Sequence, residues 1–80
     1  MDGARTYTIV LEPLKEGGFL VRVPALPEVA TCGDDEAEAL AMAREAIELV
    51  IEHRLERGEP IPDEIEPEIR KITVAVPPAA

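Results

Sequence analysis

The chain contains no serine, asparagine, glutamine or tryptophan, and it has one cysteine and one histidine. Without serine there can be no serine nucleophile, and a single cysteine cannot form an intramolecular disulfide. Cys32 and His53 stand alone and far apart, whereas a metal site needs several ligands grouped at short spacing. We expect Cys32 to be a small packing residue and His53 a surface or interface residue. The sequence therefore predicts no catalytic residue, no metal and no cofactor.

Aromatic residues are nearly absent, since Tyr7 and Phe19 are the only two. A core must then come from the isoleucine, valine, leucine and alanine that make up most of the 46% hydrophobic residues. At 80 residues the chain is expected to form one domain, with a core from about residue 6 to residue 76. Such a core is thin, so self-association would help to stabilise it.

Basic residues are few, and the formal net charge is −9. Nucleic-acid binding depends on lysine and arginine to replace the counterions of phosphates, so we expect no direct binding to nucleic acid. An acidic surface favours association with basic proteins, although solubility alone is the simpler explanation. No apolar run is long enough to cross a bilayer and no signal-peptide core is present, which predicts a cytoplasmic protein.

The absence of asparagine and glutamine, whose side chains are amides, also bears on the organism from which the chain comes. Arginine outnumbers lysine six to two, and the eight prolines lie mostly in connections. Loss of thermolabile amides and stiffened loops are typical of thermophilic proteins, and a GC-rich genome would produce part of the same bias.

Apolar and polar residues alternate along the first part of the chain, which predicts three short strands. The first runs from Tyr7 to Glu12, and the paired glycines Gly17-Gly18 allow the second, Phe19 to Val23, to return antiparallel. A Pro-Ala-Leu-Pro corner ends the second strand. A third strand, expected at an edge, follows from Val29 to Cys32.

A long amphipathic helix is predicted from Glu36 to Arg57. Asp35 can cap its first turn with Glu38 at the third helical position, and Gly58 is a suitable stop. Its apolar residues form a main stripe and a second stripe beside it, namely Leu40, Ala43, Ile47, Val50 and Ile51, and then Ala39, Met42, Ala46 and Leu49. This apolar arc is wider than one small sheet can cover.

A stiff acidic connection, residues 59–68, leads to a fourth alternating segment, Ile72 to Val76. The predicted fold is therefore α+β in the order β-β-β-α-β, with a mainly antiparallel sheet and one long helix across one face. The wide apolar arc and an uncovered edge strand predict a homo-oligomer, most simply a two-fold dimer.

The order of these elements resembles that of the HicB family of antitoxins, over roughly residues 7 to 62. The positions that carry the resemblance are Gly17-Gly18-Phe19, Pro24, Leu26-Pro27, Thr31, Gly33-Asp34 and the alanine-rich helix. The resemblance implies a reduced ribonuclease-H-like fold. It also implies a HicB-like antitoxin of a type II toxin-antitoxin system, which neutralises a small basic HicA-type toxin that cleaves mRNA. We expect the toxin to meet the acidic β1–β2 connection, at Glu12 and Glu16.

Two further expectations follow from the resemblance. HicB antitoxins commonly carry a carboxyl-terminal DNA-binding module, and the four residues after Val76 leave no room for one. Nuclease activity in a ribonuclease-H-like fold needs a carboxylate near the middle of the first strand, whereas Glu12 lies at its end. The alternative function is a stand-alone homo-oligomeric structural or regulatory domain without a toxin, and an enzyme using carboxylates ranks last.

Overall fold

A computed structural model describes residues 3–79 of the chain. Its elements are β1 (Val10–Pro13), β2 (Phe19–Arg22), β3 (Ala30–Gly33) and the helix α1 (Glu36–Glu56). The three strands form one antiparallel sheet in the order β1-β2-β3, and α1 packs across one face of it. The predicted α+β arrangement of three antiparallel strands followed by one long helix is confirmed.

The β1–β2 hairpin pairs Leu11 with Val21 and closes through a turn at residues 14–18. The Leu14 amide donates to the Gly18 carbonyl at 3.0 Å, and the Gly17 amide donates to the Leu14 carbonyl at 3.0 Å. Gly17 and Gly18 have φ values of 102° and 84°, a region that L-residues with side chains rarely occupy. The turn therefore requires both glycines, as the sequence predicted.

The proline corner after β2 buries the largest side chain of the core. Leu26 is completely buried, and its amide donates to the Val23 carbonyl at 3.0 Å. The Val29 amide in turn donates to the Leu26 carbonyl at 2.9 Å, so two consecutive turns point this leucine inward. The corner thus provides the main anchor for the carboxyl-terminal half of α1.

Both ends of α1 are capped by local interactions. The Asp35 carboxylate accepts from the Glu38 amide at 2.8 Å, while the Glu38 carboxylate accepts from the Asp34 amide at 2.6 Å. This is a capping box whose return bond reaches one residue further back than usual. At the other end the Gly58 and Glu59 amides donate to the Leu55 and Arg54 carbonyls, which is a Schellman motif with Gly58 in the left-handed conformation.

Alanines, rather than the larger apolar residues, form the centre of the helix face that contacts the sheet. Ala39 and Ala43 are buried against Val21, while Leu40 stays 43% exposed. Further along the helix, Ala46, Ile47 and Val50 pack on a second buried cluster, which consists of Val23, Leu26 and Val29. The two predicted stripes therefore contribute jointly to the core, and Met42 and Leu49 remain exposed at 38% and 53%.

The predicted fourth strand is wrong for this chain on its own. Ile72, Val74 and Val76 pair with no strand among residues 3–79, and their exposed fractions are 86%, 65% and 84%. After α1 the chain stays in contact with the body, meaning the sheet and α1, as far as Glu64, whose carboxylate accepts from the Thr8 amide. The residues beyond Glu64 are almost all exposed. The alternating pattern is present, but no sheet edge of the same chain lies beside it to form a ladder.

The described residues also bear on membrane spanning and on the acidic connection. No helix among them is both long enough and apolar enough to span a membrane. In the acidic connection Ile61 is half-buried and Ile65 is 52% exposed, so Ile61 anchors this segment to the body and Ile65 does not.

Candidate functional site

The hairpin turn lies against the start of α1, and this contact builds an acidic end of the molecule. A Cβ atom placed on Gly18 would lie 2.6 Å from the Gly33 carbonyl oxygen and 3.3 Å from the Asp34 Cα. The turn that carries Glu16 is therefore next to the acidic first turn of the helix. We call this surface the acidic end; its residues are Glu12, Glu16, Asp34, Asp35 and Glu36, all exposed.

Glu12, the first predicted contact residue, is not an uncompensated charge. It lies on the sheet face turned away from α1, where Arg22 of β2 donates to its carboxylate at 2.7 Å. Both side chains are at least half exposed, so the pair adds little to stability. Its effect is local, because the Arg22 guanidinium offsets the negative charge that the sequence assigned to this position.

Glu16, the second predicted contact residue, lies in the hairpin turn and makes no ion pair with any residue between 3 and 79. Beside it Leu14 is 41% exposed. An exposed leucine next to an unpaired carboxylate suits a protein contact, since it offers apolar burial and long-range attraction together. The structure places Glu12 and Glu16 in one hairpin but gives them no shared contact.

A second acidic surface, which the sequence analysis did not identify, lies on the flank of α1 that borders Thr31 of β3. Met42 and Leu49 line a shallow depression of about 450 Å³, bordered by Glu45, Glu48 and Glu52. We call it the acidic groove. The apolar spacing of seven residues between Met42 and Leu49, with glutamates between them, was the signal that could have revealed it.

Arg54 connects the carboxyl end of α1 to the proline corner, a role that its sequence position did not reveal. Its guanidinium donates to both oxygens of Glu28, at 3.0 and 3.2 Å. It also donates to the Pro60 carbonyl at 3.4 Å. Only 22% of the Arg54 side chain is exposed, so this pair holds the corner, the helix end and the following connection together.

Two carboxylates after α1 have perturbed acidities with clear local causes. The hydrogen bond from Arg57 lowers the pKa of Glu59 below its usual value and raises the pKa of Arg57. The pKa of Glu64 is lowered by hydrogen bonds from the Thr8 hydroxyl and the Thr8 amide. Both are connections within the fold and neither indicates a catalytic group.

The residues that chemistry most often uses are dispersed. Cys32 is an exposed thiol on the outward face of β3, not the packing residue that we predicted, and His53 is exposed in the last turn of α1. Within residues 3–79 no three His, Cys, Asp or Glu side chains are grouped so as to hold a metal ion. What the described surface offers is charge and apolar contact area for another protein.

Comparison with known proteins now gives this surface a context. The family model described as "HicB_like antitoxin of bacterial toxin-antitoxin system" matches residues 7–75. The chain belongs to the HicB-like antitoxin family. The match begins at the first predicted strand and ends in the exposed segment after Ile72, so the family pattern includes that segment.

Three relatives illustrate the range of this family. The chain is 45% identical over 56 residues to Antitoxin HicB 1 of Photorhabdus laumondii, which covers 70% of this chain and 36% of the relative. It is 36% identical over 56 residues to Antitoxin HicB of Escherichia coli K12, covering 70% of this chain and 41% of the relative. A UPF0150 protein of Thermoplasma acidophilum is 39% identical over 56 residues, covering 70% and 81%. The chain thus matches less than half the length of either antitoxin.

Proposed function

We propose that this chain is the antitoxin of a type II toxin-antitoxin pair and neutralises a small basic HicA-type toxin that cleaves mRNA. Membership of the HicB-like family over residues 7–75 is the observation that carries the proposal. The net charge of −9 supports it, because an acidic protein attracts a basic RNA-binding surface and competes with RNA phosphates for it. In this role the chain needs no catalytic residue, metal or cofactor of its own.

The acidic end is the surface at which we place the toxin. The contact between the hairpin turn and the start of α1 adds the carboxylates of Asp34 and Glu36 to that of Glu16. Asp35 caps the helix and Glu12 pairs with Arg22, so these two contribute less free charge. Leu14 supplies exposed apolar area beside them. A basic partner would be steered by the carboxylates and held by contact with the leucine.

Charge reversal at the predicted residues tests this placement. We expect the double variant Glu12→Lys/Glu16→Lys to bind a cognate toxin more weakly, mainly through slower association, and the deficit to shrink as salt rises. Glu16→Lys alone should account for most of the loss, because Glu12 is already offset by Arg22. The measurements are association rates at low and high salt, together with inhibition of the toxin's ribonuclease activity.

A matched control uses the acidic groove. The double variant Glu45→Lys/Glu52→Lys changes the charge by the same amount on the flank of α1 that borders β3. If this variant slows association and the hairpin variant does not, the toxin contact lies on the helix and our placement is wrong. If a cognate toxin binds neither the native chain nor any variant, the antitoxin proposal itself is refuted.

One absence belongs to the proposal as well. We propose that the chain alone binds no nucleic acid, because its eight basic residues are outnumbered by 17 acidic ones. Submicromolar affinity for duplex DNA at physiological salt would contradict this, since nonspecific binding is typically only about 10⁻⁴–10⁻⁶ M.

A second candidate function is a stand-alone homo-oligomeric structural or regulatory domain without a toxin. The exposed apolar residues after Glu64 favour self-association, whichever function the chain has. The UPF0150 relative, of which the match covers 81%, is consistent with a protein built of little more than this unit. We therefore propose that the chain forms a homo-oligomer, most simply a dimer.

A further inference from the structure

The carboxyl-terminal residues 65–79 form an extended apolar arm that contacts little of the body. Among its exposed side chains are Ile69 at 77%, Ile72 at 86% and Val76 at 84%. The Cα radius of gyration is 16.5 Å, well above the roughly 12 Å expected for a compact chain of this length. The longest dimension is 60 Å, against 25 and 20 Å for the others. As a single copy, the molecule leaves the arm in solvent.

The body has an unfilled apolar groove of matching character. It has a volume of about 760 Å³ and lies between the amino-terminal residues 3–9 and one flank of α1. We call it the flank groove; its apolar lining includes Tyr7, Ile9, Leu40, Ile47, Ile51 and Leu55. Leu40 and Leu55 are 43% and 60% exposed, so a filled groove would bury surface that the single chain cannot cover.

The arm and the flank groove agree in length and in pattern. Five residues of strand, Ile72 to Val76, span about 17 Å at 3.3 Å per residue, and the twelve helical residues from Leu40 to Ile51 span about 18 Å at 1.5 Å per residue. Ile72, Val74 and Val76 would face the helix, while Lys71, Thr73 and Ala75 would face away. β1 begins directly after Ile9, a lining residue of the flank groove, and one edge of β1 pairs with no strand in residues 3–79. A strand entering there would meet the sheet edge and the helix flank together.

The path of the chain favours a groove on another copy over its own. The segment before the arm is fixed to its own body, since the Tyr7 hydroxyl donates to the Pro62 carbonyl at 2.6 Å and the Thr8 amide donates to Glu64 at 2.9 Å. Pro67 follows within three residues and restricts the backbone to extended conformations at Glu66. The arm therefore leaves the body at the residues where a strand folding back onto its own chain would have to begin.

Charge also favours a second copy as the occupant. All 17 acidic residues lie at or before Glu68, whereas residues 69–79 contain Arg70 and Lys71 and no acid. The arm is thus apolar and basic, whereas the chain as a whole is acidic. The flank groove itself is lined by Arg5, Arg44 and Glu48, so the attraction between arm and body is long-range and the contact in the groove is apolar. A basic toxin, by contrast, would gain no electrostatic attraction from this arm.

We propose that two copies exchange their arms, so that Ile72–Val76 of each lies in the flank groove of the other as the fourth strand beside β1. The exchange is reciprocal, so the contact is closed and both arms are covered. It rests on the self-association proposed above and is independent of the toxin. The family match that extends to residue 75 includes this segment.

Paired variants on opposite faces of the arm provide the test. By sedimentation equilibrium at tens of micromolar, the native chain should have twice the monomer mass of 8.7 kDa. Val74→Asp/Val76→Asp should raise the dimer dissociation constant by more than about tenfold, which corresponds to about 1.4 kcal/mol. Thr73→Asp/Ala75→Asp adds the same charge on the outward face and should leave the dimer intact. Far-ultraviolet circular dichroism checks that both variants keep the helix.

A cross-link distinguishes exchange from folding back. In a Cys32→Ala background, chains carrying Val74→Cys are mixed with differently sized chains carrying Ile47→Cys, refolded together and oxidised. We expect a disulfide between the two sizes of chain, and much less when Thr73→Cys replaces Val74→Cys. In a single chain that carries both cysteines, the disulfide should likewise link two chains rather than close within one.

The outcomes separate the arm exchange from the broader proposals. A native monomer would overturn both self-association and arm exchange. A dimer unaffected by Val74→Asp/Val76→Asp, or a disulfide that closes within one chain, would overturn the exchange and leave self-association standing. None of these measurements uses the toxin, so failure of the antitoxin proposal would be recognised separately, by the binding and ribonuclease assays.

Discussion

Gly33→Ala should destabilise the fold strongly, although its backbone conformation is open to any residue. Gly33 is not among the glycines with positive φ, so alanine meets no conformational penalty there. The loss of stability comes from steric contact, because an added Cβ would lie 2.3 Å from the Ala39 nitrogen and 2.6 Å from the Ala39 Cα. Real Cβ contacts stay above 3.0 Å, so β3 and the first turns of α1 would have to separate.

The magnitude follows from what must move. Overpacking a well-packed site costs typically about 1–3 kcal/mol, and the obstacle here is helix backbone rather than a flexible side chain. The displaced residue, Ala39, is completely buried beside Val21, so the separation also opens the core cluster. We therefore expect a loss of about 3 kcal/mol, a large share of the roughly 5–15 kcal/mol that stabilises an ordinary domain.

Gly17→Ala is the matched comparison, because it isolates the conformational penalty. Gly17 has a φ of 102° and nothing within 4 Å of an added Cβ, so only backbone strain applies. That strain costs about 1–2 kcal/mol. Urea unfolding followed by circular dichroism, at one fixed protein concentration, measures both variants. If Gly33→Ala lies within about 0.5 kcal/mol of the native chain, or costs less than Gly17→Ala, the close-contact explanation fails.

Three further outcomes are expected. Leu26→Ala should cost about 2–5 kcal/mol in urea unfolding, because this completely buried leucine leaves a cavity in the corner; a loss under about 1 kcal/mol would show that the corner is not the anchor. The bonds from Thr8 lower the pKa of Glu64, so they favour the folded state fully above the unfolded pKa of 4.5. This contribution to stability is lost as the pH falls through the lower pKa of the folded state. The protection factor of the Thr8 amide, its exchange rate relative to the unfolded chain at the same pH, should therefore fall in acid, whereas Glu64→Gln should remove this pH dependence. Finally, the missing amides predict a melting midpoint above the common mesophile range of about 45–65 °C, and a midpoint within it would contradict a thermophilic origin.

The sequence by itself determined the features that depend on neighbouring residues. Alternation located the three strands to within a few residues, and the glycine pair identified the hairpin turn. Asp35, Glu38 and Gly58 marked both ends of α1 because capping satisfies backbone groups within one turn of the cap. The predicted helix, Glu36 to Arg57, differs from the observed Glu36–Glu56 by one residue.

Sequence reasoning was less successful with the candidate site. It selected Glu12 and Glu16 from their sign and position in a turn, but it could not show that Arg22 lies beside Glu12. It also could not show that Arg54 pairs with Glu28, 26 residues away in the chain. Both pairs join different elements, and the composition of either element alone does not determine its partner.

Only the tertiary structure decided which apolar surfaces are covered. It placed alanines rather than Leu40 at the sheet, made Gly33 a contact position, and left Ile72–Val76 without a strand partner among residues 3–79. A strand pattern specifies that one face is to be buried, but not against what, because ladder pairing and helix packing depend on the path of the whole chain. Residues 62–64 fix that path at Tyr7 and Thr8 and direct the arm away from its own sheet. Local stereochemistry can therefore be predicted from the sequence, whereas the partner of each apolar face is set by long-range contacts.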